Sequence, residues 1–190
     1  MTSKGGASRH AHGPGTRGSV ESRQALSSGA GVDRDLVPGA YRQHMVEGEV
    51  RTVIARPPAD VFRVISDVRL NPKWSPSSVA GQLLTLEPVG VGTRALETTV
   101  VMGRRVTVTS EITAFEADRH LSYRTSGGPF PFSGSFSTEP HDAGTDLTAT
   151  FQTTLPRGLS IFAPLFRALI RRQLAASIIN LGRVMEAGDL

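Results

Sequence analysis

Residues 145–187 read TDLTATFQTTLPRGLSIFAPLFRALIRRQLAASIINLGRVMEA, and the rhythm of this stretch changes once, at Pro156. Ahead of the proline, Leu147, Ala149, Phe151, Thr153 and Leu155 share one parity, the period-two signature of a half-buried strand. Beyond Gly158 the period becomes helical and holds to about Ala187. Phe166, Ile170, Leu174, Ile178, Leu181 and Met185 form one apolar stripe about five turns long. Arg167, Arg171, Arg172 and Arg183 lie off that stripe, and Pro164 belongs in the first turn, where its missing N–H costs least. A strand that runs directly into one long amphipathic helix needs a sheet for the helix to cover.

Working back along the chain supplies that sheet. Period-two segments are predicted at 79–87, 93–102, 104–115, 119–126, 132–139 and 145–155, separated by Gly-, Pro- and Asp-containing turns. Connections this short give an antiparallel meander. The clearest alternation is in 105–115, where Val106, Val108, Ser110, Ile112 and Ala114 are expected to face inward. Val46–Ile54 alternates as well and predicts an earlier strand. Pro57-Pro58 ends it and opens a helix over 59–68, with Val61, Phe62, Val64, Ile65 and Val68 on one face and Asp60 in the first turn. Asn71–Pro76 predicts a very short helix or turn between prolines. The sum is strand, two short helices, six strands and one long helix. This is an α+β arrangement, an antiparallel sheet of about seven strands with its helices on one face.

Composition narrows the function classes. The chain has no cysteine, which excludes disulfides, thiolate metal sites and cysteine nucleophiles. The net charge of +4 is uneven. Residues 1–44 hold six basic and three acidic side chains, whereas the rest of the chain holds fifteen against fourteen. The nearly neutral remainder carries no phosphate-neutralising stripe, so nucleic acid is not an expected partner. Residues 1–44, rich in Gly, Ser, Arg and His, read as a disordered tail, and the folded domain is expected over 45–190. No stretch approaches a membrane span, and the start lacks a secretory h-region, so the expected compartment is the cytoplasm. Membrane contact through Arg167, Arg171 and Arg172 ranks well below a solvated face for those residues.

Several local motifs recur in a recognisable order: Pro57-Pro58-Ala59-Asp60-Val61-Phe62 opening the first helix; Asp67 to Pro76 with Trp74 between prolines; Gly90-Val91-Gly92-Thr93-Arg94. Glu111-Ile112 followed by Phe115-Glu116, then Gly144-Thr145, then Ala163-Pro164-Leu165 complete the series. In this order the chain resembles the START-like (SRPBCC, helix-grip) superfamily, and within it the polyketide cyclase/dehydrase-like group. The resemblance runs from Val46 to Ala187. It implies a curved sheet gripping the long helix around a cavity for lipids, polyketides, sterols or similar apolar molecules. It does not choose between binding and catalysis.

With that geometry, the expected ligand-lining residues are Trp74, Thr98, Met102, Val108, Ser110, Tyr123, Phe132, Phe136, Phe151, Phe162, Phe166 and Ile170. Small inward residues, namely Gly48, Ser110, Ala114, Gly134 and Ala149, are expected to leave room. The expected inner faces carry Thr98, Ser110, Tyr123, Thr125, Thr138 and Thr153 as polar groups, of which Tyr123 alone ionises, near pH 10 in water. Should the parity of the 93–102 strand be reversed, Arg94 or Glu97 would enter instead. His120 has outward parity and His141 sits in a turn. No serine triad and no metal-ligand set is visible, so no metal and no cofactor is expected. The favoured function is binding or transport of an apolar small molecule. A cyclase/dehydratase acting in the same cavity, with Tyr123 and Arg94 as its candidate groups, is the alternative.

Overall fold

The computed structural model describes residues 44–101 and 103–190. Met102 and nearly all of the tail expected over 1–44 lie outside them; His44 opens the first strand. The elements follow the order β1 (His44–Ile54), α1 (Pro58–Ser66), α2 (Asn71–Trp74), β2 (Ser78–Leu83), β3 (Arg94–Val101) and β4 (Arg104–Glu116). Then come β5 (His120–Ser126), β6 (Phe132–His141), β7 (Gly144–Leu155) and α3 (Ala163–Ala187).

The seven strands form one curved antiparallel sheet in the order β1-β7-β6-β5-β4-β3-β2. Strands β1 and β2, successive in sequence, are therefore its opposite edges, and the α1–α2 segment spans the width between them. α1 starts at Pro58, with proline in its first turn and Asp60 beside the helix N-terminus. The Asp67 side chain accepts from the Arg69 backbone N–H at 3.0 Å, starting a short turn of 3₁₀ helix that leads into α2.

The sequence-predicted boundaries hold to within about two residues, except at β2, which stops at Leu83, and at the long helix, which begins at Ala163 after a 3₁₀ segment over Arg157–Phe162. Leu84 and Leu86 keep the alternating pattern but are 50% and 94% exposed. An edge strand has one neighbour, and pattern alone cannot hold residues that have nothing to cover.

Two inward faces differ from expectation. Ala114 does not point inward. Ile112 pairs with Tyr123 and Ala114 with Ser122, so Thr113 is an extra residue and β4 bulges there. The bulge reverses parity and turns Phe115 inward, edge-on to Phe62 of α1 at 5.3 Å. The space above Gly48 and Gly134 is also not left free. A Cβ on Gly48 would meet the Phe151 ring at 2.6 Å, and one on Gly134 would meet Tyr123 Oη at 2.8 Å. Both rings lie flat over the glycines opposite them in the ladder.

The core divides along α3. Ile178, Leu181 and Met185, in its C-terminal half, pack with Ile54, Val61, Phe62, Val64, Trp74, Leu147 and others into the main buried cluster. Arg56 Nε donates to the Met185 carbonyl at 3.0 Å, and the Ala55 N–H donates to Glu186 at 3.1 Å, anchoring this end. A smaller cluster of Val46, Phe151 and Leu155 lies under the helix start. In the N-terminal half of α3 no side chain is fully buried, although Phe166, Ile170 and Leu174 face the sheet. That half stands off, and the cavity lies beneath it.

Candidate ligand-binding cavity

The cavity measures about 320 Å³, within the range of small-molecule sites. Its roof is Phe166, Leu169, Ile170, Leu174 and Ser177 of α3. Its floor is an aromatic chain across the sheet. Trp74 stands edge-on to Phe136 at 6.3 Å, Phe136 stacks on Tyr123 at 6.2 Å, Tyr123 reaches Phe132 at 6.4 Å, and Phe132 lies parallel to Phe151 at 6.4 Å. Spacings of this kind suit offset and edge-on ring pairs. β3 and β4 close the side with Ala95, Glu97, Thr99, Val106, Val108, Ser110 and Ile112. Phe130 meets Phe166 edge-on at 5.9 Å and joins the strand side to the helix.

Nine of the twelve sequence-predicted residues line this space: Trp74, Val108, Ser110, Tyr123, Phe132, Phe136, Phe151, Phe166 and Ile170. Thr98 does not. It pairs with Thr107 on the outer face of the sheet, their hydroxyls 3.1 Å apart. Because Glu97 pairs with inward-facing Val108, the odd-numbered residues of β3 face in and Arg94 faces out. Phe162 does not line the cavity either; it sits immediately before α3, 50% exposed. Met102 is outside the described residues. Thr138 is buried but hydrogen-bonds the Asp118 carbonyl at 2.8 Å, away from the cavity. His120 is on the outer face, between Ser122 and Ser137.

The reversed parity brings an ionisable group inside. Glu97 Oε1 accepts from Ser78 Oγ at 2.9 Å and from Asn71 Nδ2 at 3.1 Å. Burial raises its pKa above the ordinary carboxylate value, while those two hydrogen bonds pull the other way. Among the described residues it has no salt-bridge partner. Tyr123 is pushed far above the usual phenol range, by burial first and by the nearby Glu97 charge second. It remains a neutral hydroxyl at any physiological pH.

Around Glu97 lies a polar end built by α2 and its flanks. Ser75 Oγ and Ser177 Oγ are 3.1 Å apart, linking α2 to α3, and Asn180 Nδ2 donates to the Trp74 carbonyl at 2.8 Å. The sequence predicts a very short helix or turn over Asn71–Pro76, and α2 is that helix, but the expected parity of β3 puts Glu97 on the wrong face. The signal for Glu97 was the hairpin register, which sets it opposite Val108. No group of three His, Cys, Asp or Glu side chains that would hold a metal occurs among the described residues. No described helix is long and apolar enough to cross a membrane.

Residues 45–186 match the family described as polyketide cyclase / dehydrase and lipid transport. No curated protein matches the chain. Among solved structures, the Zhui aromatase/cyclase from Streptomyces sp. R1128 is similar at 21% identity and a TM-score of 0.65, covering 75% of this chain and 94% of its own. The protein TTHA0849 from Thermus thermophilus is similar at 19% identity and a TM-score of 0.64, covering 77% and 100%. A START superfamily protein from Mycobacterium smegmatis follows at 17% and 0.59, covering 76% and 99%. At these identities the likeness is one of fold, and it agrees with the grip of sheet on helix seen here. With three quarters of its length matched by the family model, the chain belongs to the polyketide cyclase / dehydrase and lipid transport family.

Proposed function

We propose that residues 45–190 form a binding domain that carries or senses an apolar small molecule in the cytoplasm, with residues 1–44 as an appended tail. The observation that carries this reading is the cavity itself. Five linked aromatic rings and one face of a helix enclose about 320 Å³, and Asn71, Ser75, Glu97 and Ser177 are among the polar residues that line it. Apolar walls supply affinity by removing ligand surface from water, and a few polar groups set orientation. Fatty acids, fatty alcohols, sterols, quinones and aromatic polyketides form the test panel. At least one class is expected to raise the thermal midpoint in a concentration-dependent way. A panel that leaves the midpoint unmoved contradicts the reading.

Glu97 gives a cyclase/dehydratase reading specific support. Such reactions need a group that takes a proton from carbon or returns one to oxygen, with a pKa raised toward the working pH. Glu97 lines the cavity and its pKa is shifted in that direction, which supports this reading. Arg94, which faces outward, is not. If this reading holds, Glu97→Gln lowers turnover of a polyketide substrate by about 100-fold or more. Unchanged turnover removes Glu97 from the chemistry.

A further inference from the structure

Two buried polar atoms in the described structure have no hydrogen-bond partner, the indole Nε1 of Trp74 and the amide Oδ1 of Asn71. Both side chains line the cavity, and Trp74 is 4% exposed. They are complementary in kind: the indole N–H only donates and the amide oxygen only accepts. The orientation of the Asn71 amide is fixed, because its Nδ2 donates to Glu97 Oε1. The same Glu97 oxygen takes the Ser78 bond, and neither bond reaches Oε2. Buried donors and acceptors left unmade are costly in a folded protein, and each needs an explanation.

Charge completes the picture. No Arg, Lys or His is among the described residues that line the cavity, and Glu97 is the one acidic side chain among them. A ligand carboxylate, phosphate or sulfate would find no counter-charge here and would stand beside an acid.

We infer that the polar end of this cavity takes a neutral hydroxyl of an otherwise apolar ligand, which accepts from Trp74 Nε1–H and donates to Asn71 Oδ1 or Glu97. The inference rests on the binding function proposed above. An ether oxygen satisfies the indole and leaves the amide unpaired. A carboxylate leaves the amide unpaired and adds repulsion. A hydroxyl alone of these three serves both orphans. The site therefore selects alcohols, phenols or enols over acids of the same length.

Three probes of one chain length separate these cases: 1-decanol, decyl methyl ether and decanoate, titrated at pH 8 by calorimetry. Trp74 is the sequence's single tryptophan, so its emission reports contact at this end directly. 1-Decanol is expected to bind at least threefold tighter than the ether and at least tenfold tighter than decanoate. It also shifts the Trp74 emission. Trp74→Phe weakens decanol and the ether by about three- to tenfold and abolishes neither. Equal affinity for all three, or tightest binding of decanoate, overturns the hydroxyl preference and leaves an apolar cavity standing. Absence of binding by every probe, together with a flat thermal-shift panel, overturns the binding function and this inference with it.

Discussion

Glu97 ties the stability of the fold to pH. Its pKa is raised from an ordinary 4.5, so the folded chain holds the proton to higher pH than the unfolded chain does. The stability tied to that proton is fully present below pH 4.5 and is lost as pH rises through the folded-state value. Above it, the protein carries a desolvated negative charge with no salt bridge among the described residues. Glutamine keeps an oxygen for Ser78 and Asn71 and discards the charge. Glu97→Gln is therefore expected to raise the thermal midpoint by about a few degrees at pH 8 and to change it little at pH 4, measured by calorimetry across that range. An equal shift at both pH values contradicts the assignment. Gly134 gives a second residue-level test. A Cβ there meets Tyr123 Oη at 2.8 Å and the Thr150 carbonyl at 2.9 Å, and the backbone oxygen cannot swing away. Gly134→Ala should cost about 1–3 kcal/mol in urea denaturation. Gly90→Ala, which meets nothing within 4 Å, should be close to neutral.

At the scale of elements, α3 presents one apolar stripe to two environments. Leu181 is fully buried against the core, whereas Ile170 faces the cavity. Leu181→Ala removes packed atoms and is expected to cost about 2–5 kcal/mol. Ile170→Ala enlarges a space that already exists and should cost less than half as much in the same denaturation assay. Equal losses would mean that the helix is packed solidly along its whole length. The stripe was legible in the sequence because a period of three to four residues survives whatever lies beneath it. The two environments were not, because a residue facing a cavity and one facing a core are chosen from the same apolar set. Strand parity shows the same limit. In β4 the alternation reads correctly up to Ile112 and fails after Thr113, where an unpaired residue resets it without any turn residue to mark the change. In β3, Leu96 and Val100 compete with Ala95 and Val101 for the inner face, and the local pattern does not decide between them. Pairing with β4 does. Glu97, the one acidic group among the described residues lining the cavity, was hidden behind that single ambiguity.

The described residues fold around a sheet whose two edge strands are successive in sequence, joined by a helical segment that spans its width and brings Asn71 and Trp74 to the cavity. The C-terminal half of α3 locks onto that arrangement, and its N-terminal half rests on the smaller cluster of Val46, Phe151 and Leu155 and roofs the cavity. A void forfeits dispersion contacts along its whole lining, which the proposed use as a ligand site would restore. Filling it tests that use. Ile170→Trp places a larger side chain into the cavity from the helix half that does not carry the main core. It is expected to abolish ligand binding while lowering stability by no more than about 1–3 kcal/mol. The most direct measurement is native mass spectrometry of the full chain and of Ile170→Trp, both purified without detergent. The wild-type chain is predicted to retain an apolar small molecule that denaturation releases, and Ile170→Trp to carry none. A wild-type chain that comes through empty and gains no ligand from the hydroxylated or aromatic panel would contradict the claim that this cavity is a binding site.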